Sequence, residues 1–101
     1  MEEIAHAVIL RNENYLALRE NKDQYWKLPG GGIKHGETPL TALARELREE
    51  VEITHFTIEQ TLKPFRLFFK ERHMRFHSFV ITTDQEPHIQ EENTRVEWQP
   101  L

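Results

Sequence analysis

A chain of 101 residues is long enough for one folded domain with an adequate but not generous core. Its net charge of −4 argues against a general nucleic-acid-binding surface, so an anionic ligand would need a cation or a few placed Arg and Lys side chains. The lack of cysteine excludes disulfides and thiolate metal sites, and no signal-like or membrane-length apolar run is present, so a soluble cytoplasmic protein is the expectation.

Glu3 to Arg11 reads as a strand. Its near-continuous apolar run, Ile4-Ala-His-Ala-Val-Ile-Leu10, suggests burial on both faces. Asn12-Glu-Asn14 is a turn by composition. Tyr15 to Arg19 alternates, with Leu16 and Leu18 facing one way, which suits the return strand of a hairpin. A polar segment, Asn21-Lys-Asp23, and Tyr25-Trp-Lys-Leu28 lead into Leu28-Pro-Gly-Gly-Gly-Ile-Lys-His-Gly-Glu37. A glycine-rich loop of this kind exposes backbone that a ligand can approach closely.

The loop runs directly into a helix. Thr38 suits the N-cap and Pro39 the first helical position, where its missing N–H costs nothing. Leu40, Leu43, Ala44, Leu47 and Val51 form one apolar stripe at spacings of three and four. At about 100° per residue, Glu46, Glu49 and Glu50 point within roughly 100° of one another and flank that stripe. Like charges three and four apart repel, and the C-terminal half of a helix disfavours anions. Arg45 can reach Glu49 and relieve part of this, while Arg48 points to solvent. Such a group is either a solvated acidic face or a site for a hard divalent cation, which takes carboxylate and phosphate oxygens.

Beyond the helix, Phe56, Ile58 and Leu62 fit one strand face, with Gln60 breaking the pattern and Pro64 ending it. Phe65 to Phe69 continues as an edge or bulged strand. Lys70 to Arg72 turns without Gly or Pro. Met74 to Thr82 alternates as a strand. Asp84 to Thr94 is a polar loop containing Pro87, and Arg95 to Trp98 is a short last strand. Six histidines are scattered, none paired at helical metal-ligand spacing, and His6 and His77 are expected to be packed or hydrogen-bonded. Trp26, Phe65, Phe68, Phe69, Phe76 and Phe79 are expected to lie mostly in the core, with one or two free to stack on a base.

Counting from Gly31, five residues precede Glu37, and seven more precede Arg45-Glu46-Leu47-Arg48-Glu49-Glu50. This spacing resembles the signature of the Nudix (MutT-type) hydrolase family, and nearly every fixed position matches, including the aliphatic residue at Ile53. The departure is Glu52, where the family has Gly. A Gly there would end the helix in the left-handed region; Glu52 must strain into that region or end the helix otherwise.

The resemblance implies an α/β fold, a mixed β-sheet in an α/β/α sandwich. It also implies that the C-terminal helix is absent, since the chain stops at Leu101 where family members usually continue into a second long helix. A bare sheet face would then be open to a partner, a homodimer being one solution. The implied activity is hydrolysis of a nucleoside diphosphate linked to another group, by water attack on phosphorus, with Mg²⁺ or Mn²⁺ as cofactor. By resemblance Glu49 and Glu50 are the main metal ligands, with the carbonyl of Gly30. Glu46 is a shared ligand or the base. Arg45 orients the carboxylates, and Glu37 holds the loop to the helix, through Arg45. Gly31 offers backbone to the substrate, and Arg19 is placed like family arginines that contact phosphate. A further acidic ligand from the last loop is expected at Glu92, with Glu91 second. The other reading is a Nudix-fold nucleotide-binding or regulatory module without turnover.

Overall fold

The computed structural model describes residues Met1–Leu101. In chain order the elements are β1 (Glu2–Arg11), β2 (Asn14–Glu20), β3 (Gly30–Gly32), α1 (Pro39–Val51), β4 (Thr57–Thr61), β5 (Phe65–Phe69), β6 (Arg72–Thr82) and β7 (Thr94–Pro100). The strands make one mixed sheet in the order β4-β6-β1-β2-β7, with β3 paired to β1 and β5 to β6. Only β1 and β6 run parallel; every other pairing is antiparallel.

The sheet carries a helix on one face only. Ala5, Ala7 and Ile9 of β1, Leu16 and Leu18 of β2, and Phe79 and Ile81 of β6 meet Ala42, Leu43, Leu47 and Val51 of α1, and Ile53 completes the buried cluster. The opposite face has no second helical layer. There Ile4, His6, Val8 and Leu10 are only half-buried, so β1 is not buried on both sides as its apolar run suggests. Among the aromatics expected in the core, Phe79 is buried and Trp26 and Phe76 are half-buried, but Phe65, Phe68 and Phe69 are exposed. They sit on an edge strand with no layer above it. His6 and His77 are hydrogen-bonded, His6 Nε2 to Ser78 Oγ at 2.6 Å and His77 Nε2 to Glu3 Oε1 at 2.8 Å.

Local chemistry explains the turns. Asn12 and Glu13 both adopt positive φ, as do Lys70 and Glu71; these are the two-residue turns whose twist matches paired antiparallel strands. The expected turn at Lys70 thus forms without glycine, at the expense of backbone strain. The irregular spacing at Gln60 is a shift of register between Ile58 and Gln60.

Helix α1 starts as its sequence indicates. Thr38 is extended (φ −81°, ψ 163°) and its side chain accepts from the Thr41 N–H at 3.1 Å. At the other end Glu52 enters the left-handed region (φ 56°, ψ 34°), and its N–H and that of Ile53 donate to the Leu47 carbonyl. A side chain in that region costs about 1 kcal/mol, and an anion at a helix C-terminus adds to the cost. Glu52→Gly should therefore stabilise the fold by roughly 0.5–1 kcal/mol, read as a higher urea midpoint. An unchanged or lower midpoint would contradict the strain.

Candidate active site

The glycines pack as a short strand instead of forming a free loop. Gly32, Gly31 and Gly30 pair with Ile4, Ala5 and His6. Gly30 has φ +146°, and a Cβ there would lie 2.2 Å from the Ala5 carbonyl oxygen. A Cβ on Gly31 would lie 2.6 Å from the Glu46 carboxylate. These two missing side chains let β3 lie against β1 on one side and let a glutamate of α1 lie on bare main chain on the other.

Arg45 ties the glutamates to this backbone. Its Nε donates to Glu37 Oε2 at 2.7 Å and its Nη2 to Glu37 Oε1 at 2.9 Å, a two-pronged pair. The same Nη2 donates to the Gly32 carbonyl at 2.9 Å, and Nη1 donates to Glu46 Oε1 at 2.9 Å and reaches Glu49 Oε2 at 3.5 Å. The Arg45 fork holds the Glu37 carboxyl down at about 2, helped by the Lys34 N–H. Lysine cannot reproduce a planar fork. Arg45→Lys should cost about 1–2 kcal/mol of stability and couple non-additively to Glu37→Gln in a urea double-mutant cycle. Strict additivity would remove the pairing from the picture.

Glu50 is anchored from the other side. Its Oε1 accepts the Gly30 N–H at 3.0 Å. Burial pushes its carboxyl up to about 7, against the opposing pull of that hydrogen bond; Glu46 and Glu49 add to the rise and Lys27 offsets it. The folded chain then holds a proton that the unfolded chain has released between about pH 4.5 and 7. Stability of the chelator-treated protein should fall as pH rises through that window, by up to about 3 kcal/mol, and level off above it. Glu50→Gln should flatten the profile of urea midpoint against pH. An equal slope in that variant would contradict the assignment.

Beside these groups a cleft of about 250 Å³ opens between the C-terminal half of α1 and the ends of β2 and β7. Glu46, Glu49, Glu50, Glu20 and Glu91 line it, with Leu18 and Ile89 as apolar walls. Lys27 is the one cation in its lining. Of the five carboxylates, Glu20 was not anticipated as a site residue, and Glu91 was the second choice for the loop acid. Glu20 follows Leu18 by two on β2 and so shares its face; that alternation was the available signal. Lys27 reaches the cleft through a bridge in which Leu18 and Lys27 exchange two backbone hydrogen bonds of 2.8 Å, and no sequence pattern announces it.

Glu91 lines the cleft and Glu92 does not. The Thr94 N–H closes a turn on the Glu91 carbonyl at 3.1 Å, and successive side chains leave a turn in different directions. The loop before it is drawn inward because the His88 N–H bonds to the Val51 carbonyl and Ile89 packs on the core. Arg19 also lies apart from the cleft. Alternation along β2 turns it to the face opposite Leu18 and Glu20, where its guanidinium sits 5.0 Å over the Trp26 ring. Its Nε is buried with no hydrogen-bond partner, and its cross-strand neighbour is Arg95.

The donor set is all oxygen, which suits Mg²⁺ or Mn²⁺ over softer metals. No three of these carboxylates already converge closely enough to cage an ion; Glu46 rests on Arg45 and Glu50 on the Gly30 N–H. The acids fit such a cation in type and number.

Known proteins bear on this geometry. A family model described as the NUDIX domain matches residues 1–101. An 8-oxo-dGTP diphosphatase of Proteus vulgaris is 35% identical over 86 residues, 78% of this chain and 74% of that protein. An 8-oxo-dGTP diphosphatase of Escherichia coli (strain K12) is 40% identical over 74 residues, 65% of this chain and 55% of its own length. The crystal structure of a MutT NUDIX hydrolase from Burkholderia pseudomallei superposes with a TM-score of 0.81 at 20% identity, covering 97% of this chain and 81% of that one. Matched by that family model over its whole length and by the Proteus vulgaris relative over most of it, the chain belongs to the Nudix (MutT-type) hydrolase family.

Proposed function

We propose that this chain hydrolyses the pyrophosphate bond of a nucleoside diphosphate linked to another group, with Mg²⁺ or Mn²⁺ as cofactor. The observation that carries the reading is the cleft: five carboxylates face a single lysine, beside backbone stripped of side chains. That excess of negative charge cannot receive a polyphosphate without cations. A dication held by Glu46, Glu49 and Glu50, with the Gly30 carbonyl, would draw charge off the phosphate oxygens.

The chain's own residues do the rest. Arg45 fixes the Glu46 carboxylate against Gly31, where it can accept a proton from water. The water oxygen bonds to phosphorus as the bridging oxygen leaves with the departing phosphate. Lys27 offers its ammonium to the phosphate chain. Glu91, in place of Glu92, is the acid from the last loop. Arg19, on the opposite face of β2 over Trp26, is left out of this assignment. Small nucleotides are the substrate class, and the relatives named 8-oxo-dGTP diphosphatases make ordinary and C8-oxidised purine nucleoside triphosphates the first to try.

The test is a panel of nucleoside triphosphates, dinucleoside polyphosphates and nucleotide sugars, each with Mg²⁺, with Mn²⁺ and with chelator. Metal-dependent release of a nucleoside monophosphate with pyrophosphate or phosphate is the expected result. Tight nucleotide binding without any turnover would replace the hydrolase by a binding or regulatory module.

A further inference from the structure

Strand β5, Phe65-Arg-Leu-Phe-Phe69, takes no part in the cleft. It lies at an outer edge of the sheet with β6 as its sole pairing partner. Phe65, Leu67, Phe68 and Phe69 are 48%, 45%, 71% and 55% exposed. They do not share a face. Pairing of Phe65 with Phe76 and Leu67 with Met74 puts Phe65, Leu67 and Phe69 on the uncovered face, while Phe68 turns with His73 to the side of α1. No layer laid over one face could cover all four, whereas a strand added at the edge would reach both sides. Edges of this kind are usually blunted by charge, proline or brevity. Here Pro64 stands before the strand and Arg66 is the one charge within it.

The segment is complementary to itself. With a two-fold axis at Leu67 and antiparallel pairing, Phe65 meets the partner's Phe69, Arg66 meets the partner's Phe68, and Leu67 meets the partner's Leu67. These are an aromatic pair, a cation–π pair and an aliphatic pair, all favourable across strands. Just outside, Pro64 on one side and the Lys70-Glu71 turn on the other end the pairing. No like charges are opposed. This is what an isologous interface requires, since each contact is made twice.

We propose that the chain forms a two-fold dimer by antiparallel pairing of β5 with β5 of a second copy, joining the two sheets at this edge. The pairing is short, below the size of a standard interface, so the dimer is weak, with a Kd on the order of micromolar or above. It is independent of the hydrolase reading, because the interface lies away from the cleft and the readout is mass.

Sedimentation velocity at concentrations spanning that Kd should show the unaltered 101-residue chain passing from monomer to dimer and no further. Leu67→Lys and Leu67→Glu each place like charges on the axis and should be monomeric by themselves, with unchanged circular dichroism because position 67 is exposed. Mixed in equal amounts, they should recover a dimer containing one of each, at least as tight as the parent. Leu67→Cys should form an intermolecular disulfide on mild oxidation at dimer-forming concentration. A parent chain that stays monomeric, a Leu67→Lys variant that still dimerises, a mixture that does not reassociate, or open-ended oligomers would each overturn the proposal.

Discussion

Glu49→Gln should lose about 10²–10³-fold in kcat while melting within a degree or two of the parent chain. The two halves of that expectation come from different observations. Glu49 lines the cleft, so its negative charge belongs to whatever the cleft holds, and one ligand charge among a few supports several kcal/mol of charge stabilisation in such sites. Its structural ties are slight: the side chain is half exposed and its one polar contact is the 3.5 Å approach of Arg45. Glutamine keeps the shape and removes the charge, which even relieves repulsion from Glu46 and Glu50 on the same side of α1. Rates for the best substrate of the panel, with a urea melt on the same preparation, check both halves. Full activity would take Glu49 out of the site, and a large loss of stability would mean that its role is structural.

Gly30→Ala should have the opposite signature, a loss of roughly 3–4 kcal/mol of stability. A domain of this size has about 5–15 kcal/mol in all, so much of it would go. The added Cβ would meet the Ala5 carbonyl at 2.2 Å and the His6 Cα at 2.5 Å. Both are backbone atoms of β1, which is paired to β6 along its other side, so neither can swing away. The φ of +146° adds strain for any L side chain. Relief would come by detaching β3, which also gives up the hydrogen bond from the Gly30 N–H to Glu50 and dismantles the cleft wall. Gly32→Ala is the matched control, since a Cβ there meets nothing within 4 Å; it should cost well under 1 kcal/mol. Equal midpoints for the two variants in urea would contradict the close approach.

What could be read in advance was what short-range rules govern. The N-cap at Thr38, the Leu43, Leu47 and Val51 part of the apolar stripe of α1 and the reach of Arg45 to Glu49 all follow from neighbours within a turn or two of helix, whereas Leu40 of that stripe is exposed and Ala42 is buried in its stead. The motif spacing carried the family because Gly31, Glu37 and Arg45 to Glu50 lie in one continuous stretch. Residues brought together by strand pairing were harder. Glu20, Lys27 and Glu91 reach the cleft through the β2–β7 ladder, the Leu18–Lys27 bridge and the inward pull of Ile89, and none of these is local. The choice between Glu91 and Glu92 depended on a turn that counting back from Trp98 cannot resolve. Phe65, Phe68 and Phe69 were expected inside because aromatic residues usually are; which strand would be an edge is a property of the whole sheet order. The apolar run of β1 promised two covered faces, and the chain supplies a helix for one.

The most direct test of the central claim is a crystal grown with Mn²⁺ and a non-hydrolysable nucleoside triphosphate, measured for anomalous scattering. The expected result is an anomalous peak in direct coordination with carboxylate oxygens from Glu46, Glu49 and Glu50, with phosphate oxygens on its far side. Nucleotide bound elsewhere, with those three side chains turned to solvent and no peak between them, would contradict it.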